Sequence, residues 1–142
     1  FGDPECQVLM MRMKSDILPL LLAAAKGHLD ECEAPEWDPR PCVTVILASE
    51  GYPLAYTTGL PIEGLEDLET GSDLQIFHCG TALENGQLVT AGGRVLAVTA
   101  MGEDIGEARS SAYAAVDKID FQGKVFRRDI GKVTEEAVEA LP

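Results

Sequence analysis

The chain has 142 residues, enough for one domain with a single hydrophobic core. Its 24 acidic and 11 basic residues give a formal net charge of −13, which argues against nucleic acid and anionic membranes as partners. The longest apolar run, residues 20–25, is too short to span a bilayer.

The first predicted elements are helical. Residues 4–14 carry spaced apolar side chains and are expected to form a short helix or an irregular connection. A second helix is predicted from Asp16, which can act as the N-cap, to Lys26, because Gly27 follows as a terminating glycine. Pro19 is compatible only with the first turn of that helix. Because this helix is apolar on nearly all sides, we expect it to be deeply buried or to dock on two surfaces.

The middle of the chain is predicted to be rich in β-structure. Three prolines in residues 30–41 indicate an extended loop. Residues 42–49 form a continuous apolar run rich in β-branched residues, which predicts a central strand buried on both faces. Two further apolar runs flank Asn85-Gly86, a dipeptide that tolerates positive φ and predicts a β-hairpin. Another strand is expected over residues 95–99.

The last part of the chain is predicted to be mainly helical. Asp104 can cap a helix whose apolar stripe runs from Ile105 to Ile119, and Gly123 separates it from a short extended piece. Residues 133–141 alternate acidic and apolar side chains, which indicates a final helix or a frayed end. Strands followed by grouped helices predict an α+β fold, an antiparallel sheet of about four strands with helices packed mainly on one face.

Gly92-Gly93-Arg94 is the segment with the clearest potential for ligand binding. Adjacent glycines let the backbone turn sharply and approach a ligand closely. Arg94 adds one fixed cation, which suits a phosphate or a carboxylate. An ordinary turn with a solvated arginine has the same spacing, so the pattern alone leaves both interpretations open.

The four cysteines show no paired spacing and no metal-ligand spacing with the two histidines. We therefore expect reduced thiols, a cytoplasmic protein and no metal site within this stretch.

Several motifs resemble those of a known enzyme family, the C-terminal domain of phosphoribosylamine–glycine ligase. This ATP-grasp enzyme belongs to purine biosynthesis. The motifs occur in the same order along the chain: Phe1-Gly2-Asp3-Pro4-Glu5-x-Gln7, Lys14-Ser15-Asp16, Gly51-Tyr52-Pro53, Phe77-His78-x-Gly80-Thr81, Gly92-Gly93-Arg94-Val95-Leu96-x-Val98-Thr99, Ala112-Tyr113 and Phe126-Arg127-Arg128-Asp129-Ile130-Gly131.

The resemblance implies a reaction in which ATP drives the joining of phosphoribosylamine and glycine. ATP and Mg (or Mn) would be bound mainly by residues upstream of Phe1, so we expect the chain to be a fragment that is inactive alone. Residues 1–14 would be the end of the ATP-grasp domain and its connection, and residues 15–142 the C-terminal domain. Its partners would be the N-terminal and ATP-grasp domains.

The resemblance also implies a site for the substrate phosphate. Arg94, with Gly92 and Gly93, is the expected phosphate-binding segment, and Asp3 and Pro4 are expected to line the site. Arg127 is a further candidate, although Asp129 can pair with it or with Arg128. No catalytic residue is expected in this stretch, and His78 is expected to be a hydrogen-bonded structural residue. The alternative is a free-standing ligand-binding or protein-interaction module without catalysis.

Overall fold

The structure is a computed structural model that describes residues 2–132. The helices are α1 (Glu5–Arg12), α2 (Ile17–Lys26) and α3 (Ile105–Val116), with a single 3₁₀ turn at Leu29–Glu31. The strands are β1 (Cys42–Ser49), β2 (Leu74–His78), β3 (Thr81–Glu84), β4 (Gln87–Thr90), β5 (Arg94–Met101) and β6 (Lys124–Val125). The element predicted over residues 133–141 lies outside the described residues.

The strands form one antiparallel sheet of four strands and a separate hairpin. The sheet has the order β2-β5-β1-β6, while β3 pairs with β4, and Val89 of β4 also forms an isolated antiparallel bridge with Pro61. The hairpin turns at Asn85 and Gly86, whose φ angles are 51° and 82°, as the sequence predicts. The α+β class and the antiparallel sheet of about four strands are confirmed.

The hydrophobic core lies between the sheet and α3. Ala108, Ala112 and Ala115 of α3 are buried, and the helix contacts β1 and β5. Small side chains let a helix lie close to a sheet, so the predicted apolar stripe is confirmed. The helix ends at Val116, earlier than the stripe suggests.

The burial of β1 differs from the prediction. Its residues alternate between buried and half-buried positions, so the expectation of burial on both faces is wrong. The fully covered strand is β5, which is buried from Val95 to Met101. The buried apolar positions of β1, Val43, Val45 and Leu47, belong to the core cluster that includes Ala108 and Ala112 of α3, whereas the alternate positions lie on the opposite face of the strand.

Helix α2 has the predicted ends. The Asp16 side chain accepts a hydrogen bond from the Leu18 amide at 2.9 Å, and Gly27 closes the helix with φ 76°. None of its residues is buried, and the side chain of Leu18 is 65% exposed. The prediction that α2 is deeply buried is therefore wrong for this domain. Docking of α2 on another surface stays a prediction.

The cap of α3 supports a stability prediction. Asp104 Oδ1 accepts from the Glu107 amide at 2.8 Å, and Glu107 Oε2 accepts from the Glu103 amide at 2.7 Å. Loss of an N-cap side chain costs about 1 kcal/mol of stability. We expect Asp104→Ala to lower the free energy of unfolding in urea by about that amount. Asp67→Ala is the control, because this exposed carboxylate accepts no hydrogen bond from residues 2–132. An equal loss in both variants would refute the role of the cap.

Candidate ligand site around Arg94

Four segments that are distant in sequence meet where β5 begins. We call the group Asp3, Tyr52, Gly80, Gly92, Gly93 and Arg94 the Arg94 cluster. Hydrogen bonds join Arg94 to Asp3, 91 positions away, and to Tyr52, 42 positions away. The structure therefore brings together the candidates Arg94, Gly92, Gly93 and Asp3. Pro4 follows Asp3 directly and is the N-cap residue of α1.

The backbone of the cluster is fixed by the end of β1. The Ser49 amide donates to the Gly93 carbonyl at 2.8 Å, and Ser49 Oγ donates to the Gly92 carbonyl at 3.0 Å. Ser49 is only 3% exposed, so these two hydrogen bonds are shielded from water. The segment before Arg94 is consequently held in one conformation relative to β1.

The glycines of the cluster allow protein groups to approach one another. A Cβ placed on Gly80 would lie 2.6 Å from the Arg94 carbonyl oxygen and 2.8 Å from Gly92 Cα. A Cβ on Gly93 would lie 2.0 Å from Cδ2 of Tyr52. The space beside Gly93 is thus taken by an aromatic ring, whereas the sequence suggested that a ligand would occupy it. Neither Gly80 nor Gly93 has a positive φ, so close packing is what requires glycine here.

The guanidinium of Arg94 is held at two of its three nitrogens. Nε donates to the Tyr52 hydroxyl at 3.1 Å, and Nη1 donates to the Asp3 carbonyl at 2.8 Å. Nη1 also lies 3.5 Å from Asp3 Oδ1, in an ion pair whose side chains are 33% and 58% exposed. The hydrogen bond to Tyr52, followed by the Asp3 charge, raises the pKa of Arg94. Within residues 2–132, Nη2 donates no hydrogen bond, so its two N–H groups are available to an anion.

Arg127 lies outside the Arg94 cluster. Its guanidinium makes two hydrogen bonds to the Asp129 carboxylate, at 2.9 and 2.5 Å, and its side chain is 73% exposed. These bonds raise the pKa of Arg127 and lower that of Asp129. Arg128 instead packs over the Phe126 ring at 4.7 Å. In the described part of the chain no hydrogen bond or ion pair joins Arg127 to the cluster.

Two residues in or beside the cluster were not assigned to a site from the sequence. Tyr52 stands in the Gly51-Tyr52-Pro53 motif, but nothing local in the sequence indicates that its side chain reaches Arg94. Cys79 is adjacent to Gly80, and burial raises the pKa of its thiol, with a smaller contribution from the Asp3 charge.

His78 is hydrogen-bonded, as predicted from the sequence. Its Nδ1 lies 2.9 Å from Thr81 Oγ1.

Within residues 2–132 there is no group of three or more histidine, cysteine, aspartate or glutamate side chains arranged to hold a metal ion. The same residues contain no helix with the length and apolar character needed to cross a membrane.

The fold has a counterpart in one domain of a larger ligase. The chain is similar to part of the crystal structure of phosphoribosylamine–glycine ligase from Thermotoga maritima, with a TM-score of 0.74 and 36% sequence identity. The match covers 91% of this chain and 31% of that chain. The chain therefore shares its α+β fold with one part of that ligase.

Sequence relatives identify the family. The chain is 53% identical over 131 residues to phosphoribosylamine–glycine ligase of Agrobacterium fabrum and 49% identical over 133 residues to the chloroplastic enzyme of Arabidopsis thaliana. It spans 30% and 25% of the length of these curated relatives. Residues 42–133 match the family described as phosphoribosylglycinamide synthetase, C domain, and the chain belongs to this family. The resemblance inferred from the motifs is confirmed.

Proposed function

We propose that the chain is the C-terminal part of a cytoplasmic phosphoribosylamine–glycine ligase of de novo purine biosynthesis. The whole enzyme would join phosphoribosylamine and glycine to give glycinamide ribonucleotide while ATP is converted to ADP and phosphate. The support is that relatives of this name match 92% of the chain at identities near 50%. Residues 1–14 would connect the ATP-grasp domain to residues 15–142, and α1 packs against β1 and β5.

We further propose that the Arg94 cluster binds the phosphate of phosphoribosylamine and forms one wall of the active site. The observation that carries this proposal is the geometry of Arg94, whose Nε and Nη1 are anchored while Nη2 donates to no residue among 2–132. The two N–H groups of Nη2 can donate hydrogen bonds to a phosphate, and such charge-assisted hydrogen bonds are stronger than neutral ones. Because the net charge is −13, attraction of an anion to this chain depends on such a local cation.

ATP and Mg²⁺ (or Mn²⁺) would supply the phosphoryl-transfer chemistry of the whole enzyme, and other parts of that enzyme would mainly bind them. The contribution of this chain would be to position the phosphoribosyl substrate. Holding two reactants in the correct geometry is a large part of catalysis in such ligations.

ADP release tests this proposal. We expect the purified 142-residue chain to release no ADP from ATP and Mg²⁺, because in the proposed enzyme ATP and the metal ion would be bound mainly by other domains. We expect the complete protein that contains this chain to release ADP when glycine and phosphoribosylamine are both present, and to form one glycinamide ribonucleotide per ADP. Lack of product from the complete protein would overturn the proposal. Mg²⁺-dependent ADP release by the isolated chain would refute the proposal that ATP and the metal ion are bound mainly by other parts of the enzyme.

A protein-interaction module without catalysis is the second candidate function. The exposed leucines of α2 favour it, since Leu18, Leu21 and Leu22 are 65%, 47% and 52% exposed. The same assay separates the two functions, because an interaction module would leave the complete protein without ligase activity.

A further inference from the structure

Tyr52 contacts two other members of the Arg94 cluster, Gly93 and Arg94. Its ring packs against Gly93, where a Cβ would lie 2.0 Å from Cδ2. Its hydroxyl accepts a hydrogen bond from Arg94 Nε at 3.1 Å. The residue is 39% exposed, so the ring covers the backbone while the hydroxyl reaches the solvent-facing side chain of Arg94.

These two contacts restrict the guanidinium. An arginine side chain is long and flexible, so a free guanidinium loses rotational entropy when it binds an anion. Anchoring Nε at Tyr52 and Nη1 at the Asp3 carbonyl fixes the plane of the group before any ligand arrives. The edge that carries Nη2 is then the part of the group left for a ligand.

We propose that Tyr52 is a positioning residue that orients the guanidinium of Arg94 for the phosphate of phosphoribosylamine. The inference rests on the proposed function and adds to it a second residue and its role. Tyr52 acts through Arg94. It therefore affects the binding of the phosphoribosyl substrate and leaves the phosphoryl-transfer chemistry unchanged.

The test is Tyr52→Phe in the complete ligase, a change that removes only the hydroxyl. We expect the KM for phosphoribosylamine to rise about three- to tenfold, because one hydrogen bond that pre-orients a charged group is lost. The values of kcat, KM for ATP and KM for glycine should stay within about twofold of wild type. A rise in KM at constant kcat is the signature of lost substrate binding.

Tyr56→Phe is the matched control. Tyr56 is 40% exposed and its ring centroid lies 6.1 Å from that of Tyr52, yet its hydroxyl makes no hydrogen bond to Arg94. This variant should keep the wild-type KM for phosphoribosylamine. Urea unfolding of both variants of the 142-residue chain measures stability separately from binding, and we expect Tyr52→Phe to be less stable than Tyr56→Phe by no more than about 1 kcal/mol, the net contribution of one hydrogen bond.

A double-mutant cycle tests whether the effect of Tyr52 on phosphoribosylamine binding depends on Arg94. If Tyr52 acts through Arg94, Tyr52→Phe should cause no further loss in an Arg94→Ala background. Multiplicative losses would overturn the inference, because the hydroxyl would then act independently of Arg94. An unchanged KM in the Tyr52→Phe enzyme would overturn it as well. By contrast, a wild-type complete protein without ligase activity would refute the proposed function itself.

Discussion

Gly80→Ala is expected to lower the free energy of unfolding of the chain by about 1–3 kcal/mol, the usual cost of overpacking. The added Cβ would lie 2.6 Å from the Arg94 carbonyl oxygen and 2.8 Å from Gly92 Cα. Both are backbone atoms, so neither can rotate away as a side chain could. The strand end that carries Arg94 would have to move away from Gly80.

Urea denaturation of the 142-residue chain measures this loss, and Gly71→Ala is its matched control. A Cβ on Gly71 would meet no atom within 4 Å, and Gly71 has no positive φ. The control should therefore be neutral or slightly stabilising, since alanine reduces the entropy of the unfolded chain. Equal stabilities for the two variants would show that the strand end moves without cost and that the Arg94 cluster is not rigid.

The parts of the fold that could be predicted from sequence are set by neighbouring residues. The Asp16 and Asp104 caps, the Gly27 terminus and the Asn85-Gly86 turn each depend on side chains or φ preferences within a few positions. Such signals are visible in a linear sequence. For this reason the helix starts and the hairpin were predicted correctly, along with the α+β class.

Burial and side-chain pairing could not be predicted in the same way. The apolar run of β1 looked like a strand covered on both faces, but its cover depends on the packing of α3, which begins more than 50 residues further on, against one face. The sequence showed that Asp129 could pair with Arg127 or Arg128, and only the geometry assigns it to Arg127. Such pairings depend on rotamers and distances that local patterns do not encode.

The Arg94 cluster shows the same limit at the candidate site. Gly92-Gly93-Arg94 could be identified as a ligand-binding candidate from residue types alone, because glycines and a fixed cation form a recognisable pattern. The roles of Tyr52 and of the Asp3 carbonyl could not, since they depend on contacts across 42 and 91 positions. Asp3 also places a carboxylate 3.5 Å from Arg94 Nη1, so a phosphate bound as proposed would compete with this acidic side chain.

The prediction with the largest expected effect on activity concerns the removal of the Arg94 side chain. Arg94→Ala in the complete ligase should lower kcat/KM for phosphoribosylamine by about ten- to hundredfold, since hydrogen bonds to charged groups contribute roughly 1.5–3 kcal/mol each. ATP binding should stay close to that of wild type. Arg94→Lys should restore only part of the activity, because an ammonium cannot replace a planar guanidinium that binds Tyr52 and phosphate together.

Arg127→Ala is the comparison that makes the Arg94 result specific. Both variants remove one positive charge, but the Arg127 guanidinium is engaged by Asp129 and is 73% exposed. We expect a small change in stability and nearly wild-type kinetics, as is usual for exposed ion pairs. If Arg94→Ala leaves phosphoribosylamine kinetics unchanged, Arg94 only ties Asp3 to the sheet and the phosphate is bound elsewhere. If Arg127→Ala causes the larger loss, the phosphate-binding residue is Arg127, and the Asp129 pair must open when substrate binds.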